Sequence, residues 1–114
     1  MCGICGIWGK VEVESVEAMV AAMHHRGPDD YGVYRDGAVT LGMTRLAIID
    51  LSAAAHQPMG NPDGTVWIVY NGEVYNFKRE RQILEEKGYS FSSSSDTEVV
   101  LRMYQHYGDD FLLR

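Results

Sequence analysis

Cysteine, proline and basic residues are the scarce components of this 114-residue chain: two Cys, three Pro and ten Lys/Arg. The two thiols, Cys2 and Cys5, lie too close together in sequence to staple a fold. The opening Met1-Cys2-Gly3-Ile4-Cys5 has neither a basic n-region nor an apolar h-region, so it is not a signal peptide. Both cysteines therefore read as free thiols of a reducing, cytoplasmic protein. No apolar run approaches about 18 residues, and nothing is expected to span a bilayer. Ten basic residues against sixteen acidic ones, a net charge of −6, leave no basic patch for nucleic acid or an anionic membrane. Also missing are G-x-x-x-x-G-K-[ST], G-x-G-x-x-G and H-E-x-x-H, so phosphate-loop, dinucleotide and zincin chemistry find no support. A hydrophobic share of 46% and a charged share of 23% exclude a disordered chain. The length suits one soluble domain near the lower limit for burying its own core.

The pattern along the chain predicts an α+β fold with mostly antiparallel strands. Cys2 to Trp8 is short, apolar and glycine-punctuated, and reads as a buried strand. Ser15 can cap a helix carrying Val16, Met19, Val20 and Met23, stopped by Gly27-Pro28. Val33-Tyr34 and Val39 to Leu41 flank Asp36-Gly37, a hairpin signal. Arg45 to Leu51 is expected to continue extended. Asn61-Pro62-Asp63-Gly64 is a turn, followed by a strand over Thr65 to Tyr70. Asn76 can cap a helix running to Lys87, with Gly88 as its stop. Phe91 and the following serines form a short extended piece. Ser95-Asp96-Thr97-Glu98 reads as a capping box opening a helix with Val100, Met103, Tyr104 and Tyr107 on one face.

Several residues are candidates for chemistry. Removal of Met1 would make Cys2 the N-terminus, and an α-amine of pKa about 7.7–8.0 could accept the thiol's own proton. A small apolar residue at position 2 is the plain alternative. Cys2-Gly3-Ile4-Cys5 is also half a zinc site, which His24, His25 and His56 would have to complete, or a redox pair that ought to open a helix. Cys5 reads as a buried structural thiol. Arg45, after an apolar strand, can clamp a carboxylate in bidentate fashion or form an ordinary ion pair. Asn71-Gly72 is either a hairpin turn or a pair of donors, the Asn71 amide and the Gly72 N–H, for an oxyanion. Asp96 can complement a helix dipole or hold an ammonium. His24 to Asp30 is a polar, Gly/Pro-broken loop.

Taken in order, Met1-Cys2-Gly3-Ile4-Cys5-Gly6-Ile7, His25-Arg26-Gly27-Pro28-Asp29, Arg45 to Ser52, Gln57-Pro58-Met59, Tyr70 to Asn76 and Ser95 to Val99 resemble the class II glutamine amidotransferases, which are N-terminal nucleophile hydrolases. Thr44-Arg45-Leu46-Ala47-Ile48-Ile49-Asp50 and Arg26-Gly27-Pro28-Asp29 are most similar to the glutaminase domain of glutamine-hydrolysing asparagine synthetases. The resemblance implies residues 1–114 as the N-terminal portion of a four-layer αββα sandwich, truncated at its C-terminus and without the ATP-dependent synthetase domain. It implies that Cys2 attacks the glutamine carboxamide while Asn71 and Gly72 hold the oxyanion. Arg45 would bind the α-carboxylate, Glu73 and Asp96 the α-ammonium, and Leu46, Ala47, Ile48 and Ile49 would line the pocket. No metal or cofactor is implied in this chain; ATP and Mg²⁺ belong to the synthetase domain. The implied partners are L-glutamine, the synthetase domain and a second copy in a homodimer. Ala47 stands where the family often has Ser, and Ala55 where Gly is common. Three other readings stay open: a truncated non-catalytic fragment that binds glutamine or a partner, an amidotransferase with an acceptor other than aspartate, and a small C-x-x-C metal protein.

Overall fold

The computed structural model describes residues 1–10, 13–48 and 50–114. In chain order it forms β1 (Gly3–Trp8), α1 (Val13–Ala22), β2 (Asp30–Asp36), β3 (Val39–Arg45), β4 (Met59–Gly60), β5 (Trp67–Ile68), α2 (Phe77–Glu86) and α3 (Asp96–Tyr107). Short 3₁₀ segments occupy His24–Arg26, Ala53–Ala55 and Gly108–Leu113. Among the described residues the strand pairs are antiparallel, in line with the mostly antiparallel α+β reading. The chain divides into two compact units, Met1–Ile48 with His56–Pro58 and Val69–Asn71, and Ile49–Ala55 with Met59–Ile68 and Gly72–Arg114.

The first unit is a three-stranded sheet in the order β1-β3-β2 with α1 laid on one face. Its β2–β3 hairpin closes where the sequence predicts. Asp36 pairs with Val39 across a two-residue loop, and Gly37 supplies the positive φ (52°) that primed hairpin turns require. Val16 and Val20, one helical turn apart, are the buried residues of α1. A Cβ at Gly42 would stand 2.6 Å from Val20 and 2.8 Å from both Val16 and the Cys5 sulfur, so glycine lets the helix sit close on the sheet.

Three expectations need correction in this unit. β1 is an edge strand whose residues alternate between faces: Gly3 is buried, but Ile4 is exposed and Trp8 is 87% exposed. Helix α1 starts at Val13, which puts Ser15 inside its first turn instead of at the cap. Among the described residues the stretch after Arg45 is irregular. The N–H groups of Leu46 and Ala47 donate to the Cys2 sulfur and the Asp29 carboxylate, not to a neighbouring strand.

The second unit carries a core of Leu84, Val99 and Met103, with Phe77, Tyr89, Phe91, Tyr107 and Phe111 packed around it. Each fully buried aliphatic side chain contributes about 1.5–3 kcal/mol. Helix α3 is buried on all sides from Asp96 to Met103, so Val100 and Met103 are buried without forming a separate stripe, while Tyr104 is exposed and edge-on to Phe111. Helix α2 ends in a Schellman motif: Tyr89 N–H donates to Leu84 O and Gly88 N–H to Glu85 O, both at 3.0 Å, with Gly88 at φ 96°. Asn76 is its N-cap by position but makes no side-chain cap bond. The Asn61-Pro62-Asp63-Gly64 turn closes by a Gly64 N–H to Asn61 O bond of 2.9 Å. The strand expected over Thr65 to Tyr70 narrows to Trp67–Ile68, paired with Met59–Gly60.

Candidate active site

Cys2, Arg45, Leu46, Ala47, Ile48 and Asn71 belong to the first unit, and Gly72, Glu73 and Asp96 to the second. Ile49 lies outside the described residues.

In the first unit β1 pairs Gly3 with Thr44, which brings Cys2 beside the chain leaving β3. The half-buried Cys2 sulfur accepts the Leu46 N–H at 3.3 Å and faces the Leu46 carbonyl at 3.7 Å. The Cys2 carbonyl accepts from Arg26 Nε at 3.1 Å. The nucleophile candidate is thus held from two sides by groups 24 and 44 residues away.

The His25 to Asp29 loop braces the same segment. Pro28 bridges to Arg45, Asp29 N–H donates to the Arg45 carbonyl at 3.1 Å, and the Asp29 carboxylate accepts the Ala47 N–H at 2.9 Å. Gly27 makes this approach feasible, because a Cβ there would stand 2.5 Å from the Arg45 nitrogen. The sequence reads this stretch as a Gly/Pro-broken loop, and its Arg26-Gly27-Pro28-Asp29 phrase is the signal that it is more than a connection. Arg45 is itself buried, Leu46 and Ala47 are half-buried and Ile48 is exposed.

Cys5 projects elsewhere. Its sulfur lies against Gly42 under α1, and burial pushes its pKa up, partly offset by a backbone hydrogen bond at Gly42. It stays a protonated thiol at neutral pH, a poor nucleophile. Among the described residues no group of three or more His, Cys, Asp and Glu is placed to hold a metal ion, and no helix is long and apolar enough to cross a membrane.

Asn71 is exposed, and no hairpin follows it: β5 ends at Ile68 and the next element is α2. The turn alternative for Asn71-Gly72 therefore has no second strand to serve among the described residues. Just before it, Tyr70 N–H donates to Gln57 Oε1 at 2.7 Å, a brace that only the Gln57-Pro58-Met59 phrase hinted at.

In the second unit, Asp96 is the first residue of α3 and is buried, with its Oδ2 accepting the Val74 N–H at 3.0 Å. That bond ties the segment carrying Gly72 and Glu73 to the helix start. The capping box is only half formed. Ser95 Oγ accepts from Thr97 N–H at 3.1 Å, but the Glu98 carboxylate reaches back past Ser95 to Ser92 and Ser93. Asp50 accepts from the hydroxyl and N–H of Ser52 and from the N–H and hydroxyl of Ser94, and these bonds, the Ser52 hydroxyl foremost, hold its pKa well below the usual carboxylate range.

Known proteins are similar to this chain in sequence over nearly its whole length. The glutamine-hydrolysing asparagine synthetase 1 of Bacillus subtilis is 41% identical over 96% of this chain and 18% of its own length. The glutamine-hydrolysing asparagine synthetase 1 of Arabidopsis thaliana is 38% identical over 98% of the chain and 20% of its own. Amidase chry2 of Gibberella zeae is 38% identical over 90% of the chain and 16% of its own. The chain therefore spans a fifth or less of these three relatives. A family model described as a glutamine amidotransferase domain matches residues 1–114. With that match over its whole length, the chain belongs to the glutamine amidotransferase domain family.

Proposed function

We propose that this chain is the glutaminase portion of a glutamine-hydrolysing asparagine synthetase, converting L-glutamine to glutamate and ammonia. The observation that carries the reading is the Cys2 thiol held 3.3 Å from the Leu46 N–H, next in sequence to Arg45. With Met1 removed, the α-amine of Cys2 takes the thiol proton and the sulfur attacks the carboxamide carbon. The Asn71 amide and Gly72 N–H stabilise the resulting oxyanion, worth about 3–4 kcal/mol of barrier per donor. The tetrahedral adduct collapses, the amine returns its proton to the departing ammonia, and a glutamyl thioester remains. Water, deprotonated by the same amine, then releases glutamate and regenerates the thiol.

Arg45 binds the substrate α-carboxylate, and Glu73 and Asp96 are the carboxylates assigned to its ammonium. Leu46, Ala47, Ile48 and Ile49 line the pocket in this reading. The ammonia is destined for an ATP- and Mg²⁺-dependent synthetase domain that amidates aspartate. A cytoplasmic setting, homodimerisation and the four-layer αββα sandwich belong to the same proposal; α1 on one face of an antiparallel sheet is consistent with the last. A second reading keeps the amidotransferase chemistry with an acceptor other than aspartate; one relative is named an amidase and not an asparagine synthetase.

The test is ammonia release from glutamine, paired with intact mass. Active protein should lack Met1. Cys2→Ala should abolish hydrolysis, and Cys5→Ala should largely spare it. Full activity with Met1 retained would overturn the N-terminal nucleophile mechanism.

A further inference from the structure

Two buried carboxylates in the second unit, Asp50 and Glu98, take no part in the chemistry above, yet both are spent on one short loop. Glu98 is 5% exposed. Its Oε1 accepts from the N–H and hydroxyl of Ser92, and its Oε2 from the N–H and hydroxyl of Ser93. Ser93 Oγ in turn accepts the Ser95 N–H at 3.3 Å, and Ser95 Oγ accepts the Thr97 N–H. Asp50 fastens Ser94 between them. The Ser93 carbonyl takes a further bond of 2.7 Å from Arg81. Four consecutive serines are thereby fixed up to the residue before Asp96. A buried carboxylate is costly unless fully hydrogen-bonded, and a helix N-cap needs only one acceptor. The full set of bonds on Glu98 exceeds what capping α3 requires.

We infer that Glu98, acting through Ser93 and Ser95, is a positioning residue that sets the Asp96 carboxylate for the substrate α-ammonium. This rests on the proposed role of Asp96. Oδ2 of Asp96 is already committed to Val74, so the direction of its other oxygen depends on where the helix start is held. Outer partners of this kind govern ligand geometry without touching the ligand, and losing one typically costs about 10–100-fold in binding at metal centres.

The experiment measures glutamine hydrolysis by the full-length protein. Glutaramate, the glutamine skeleton without its α-ammonium, serves as competing ligand. Unsubstituted protein and Asp96→Asn report on the underlying reading: turnover must be present, and Asp96→Asn must raise KM for glutamine while leaving glutaramate inhibition unchanged. Glu98→Gln and the milder Ser93→Ala report on this inference. Glu98→Gln should raise glutamine KM roughly tenfold, with kcat within about threefold and glutaramate inhibition unaltered. Ser93→Ala should show the same selectivity at smaller size, and it decides the matter if Glu98→Gln fails to fold. Equal weakening of glutamine and glutaramate, a fall in kcat alone, or no change in either variant would overturn the inference.

Discussion

The residues of the first unit are distinguished by what holds them. Arg45 is the last residue of β3 and Asn71 lies in the segment between β5 and α2, and their expected kinetic signatures differ. In the proposed mechanism Arg45→Ala removes a bidentate partner from the substrate carboxylate, and KM for glutamine should rise by the equivalent of about 2–5 kcal/mol. Asn71→Ala removes the proposed oxyanion donor, needed only in the transition state, so kcat should fall by about 10²–10³ with little change in KM. The reverse pattern in steady-state kinetics would reassign both. Asp50 carries a different prediction. Its folded pKa is depressed below the unfolded value of about 3.9, so its stabilising contribution is present above that pH and disappears as pH falls through the folded pKa. The stability gap between wild type and Asp50→Asn should be full at neutral pH and shrink steadily below about pH 4 in acid-unfolding curves. A gap independent of pH would remove Asp50 from this role.

At the scale of elements, short-range signals were legible and long-range ones were not. The Asp36-Gly37 hairpin and the Gly88 helix stop depend on φ values that only the residues at the turn must satisfy, so the sequence displays them directly. The exposure of β1 depends on its place at the sheet edge, which no local pattern encodes. The irregular stretch after Arg45 follows from acceptors at Cys2 and Asp29, 44 and 18 positions away, and an apolar run looks like a strand until those acceptors are known. The candidate residues of the proposed site were named from motif order, whereas the braces from Arg26, Asp29, Gln57 and Glu98 required coordinates. The Gly27 loop supplies the element-scale prediction. Alanine there would press its Cβ against the backbone of Thr44 and Arg45. Gly27→Ala should cost about 1–3 kcal/mol in denaturant unfolding and disturb Cys2 and Arg45 together. A variant with unchanged stability and activity would show the loop can relax freely.

For the whole molecule, exposed apolar side chains set the expectation. Trp8, Tyr31, Ile48, Leu51, Leu112 and Leu113 are all exposed. At roughly 25 cal/mol per Å², covering a few hundred Å² of such surface is worth several kcal/mol, comparable to a domain's stability of about 5–15 kcal/mol. The isolated 114-residue chain should therefore associate or unfold readily, with little glutaminase turnover. Light scattering and an unfolding curve check this; a monomeric chain that unfolds cooperatively and turns over glutamine would refute it. The anchoring of the chain start has a separate consequence. The bonds from Arg26 and Leu46 fall on the carbonyl and sulfur of Cys2, while Met1 is 72% exposed and takes part in no side-chain hydrogen bond or ion pair among the described residues. Excising Met1 thus breaks one covalent bond and no tertiary contact of this kind. In the proposed mechanism, trimming Met1 before or after the chain has found its shape would leave the Arg26 and Leu46 bonds to Cys2 in place.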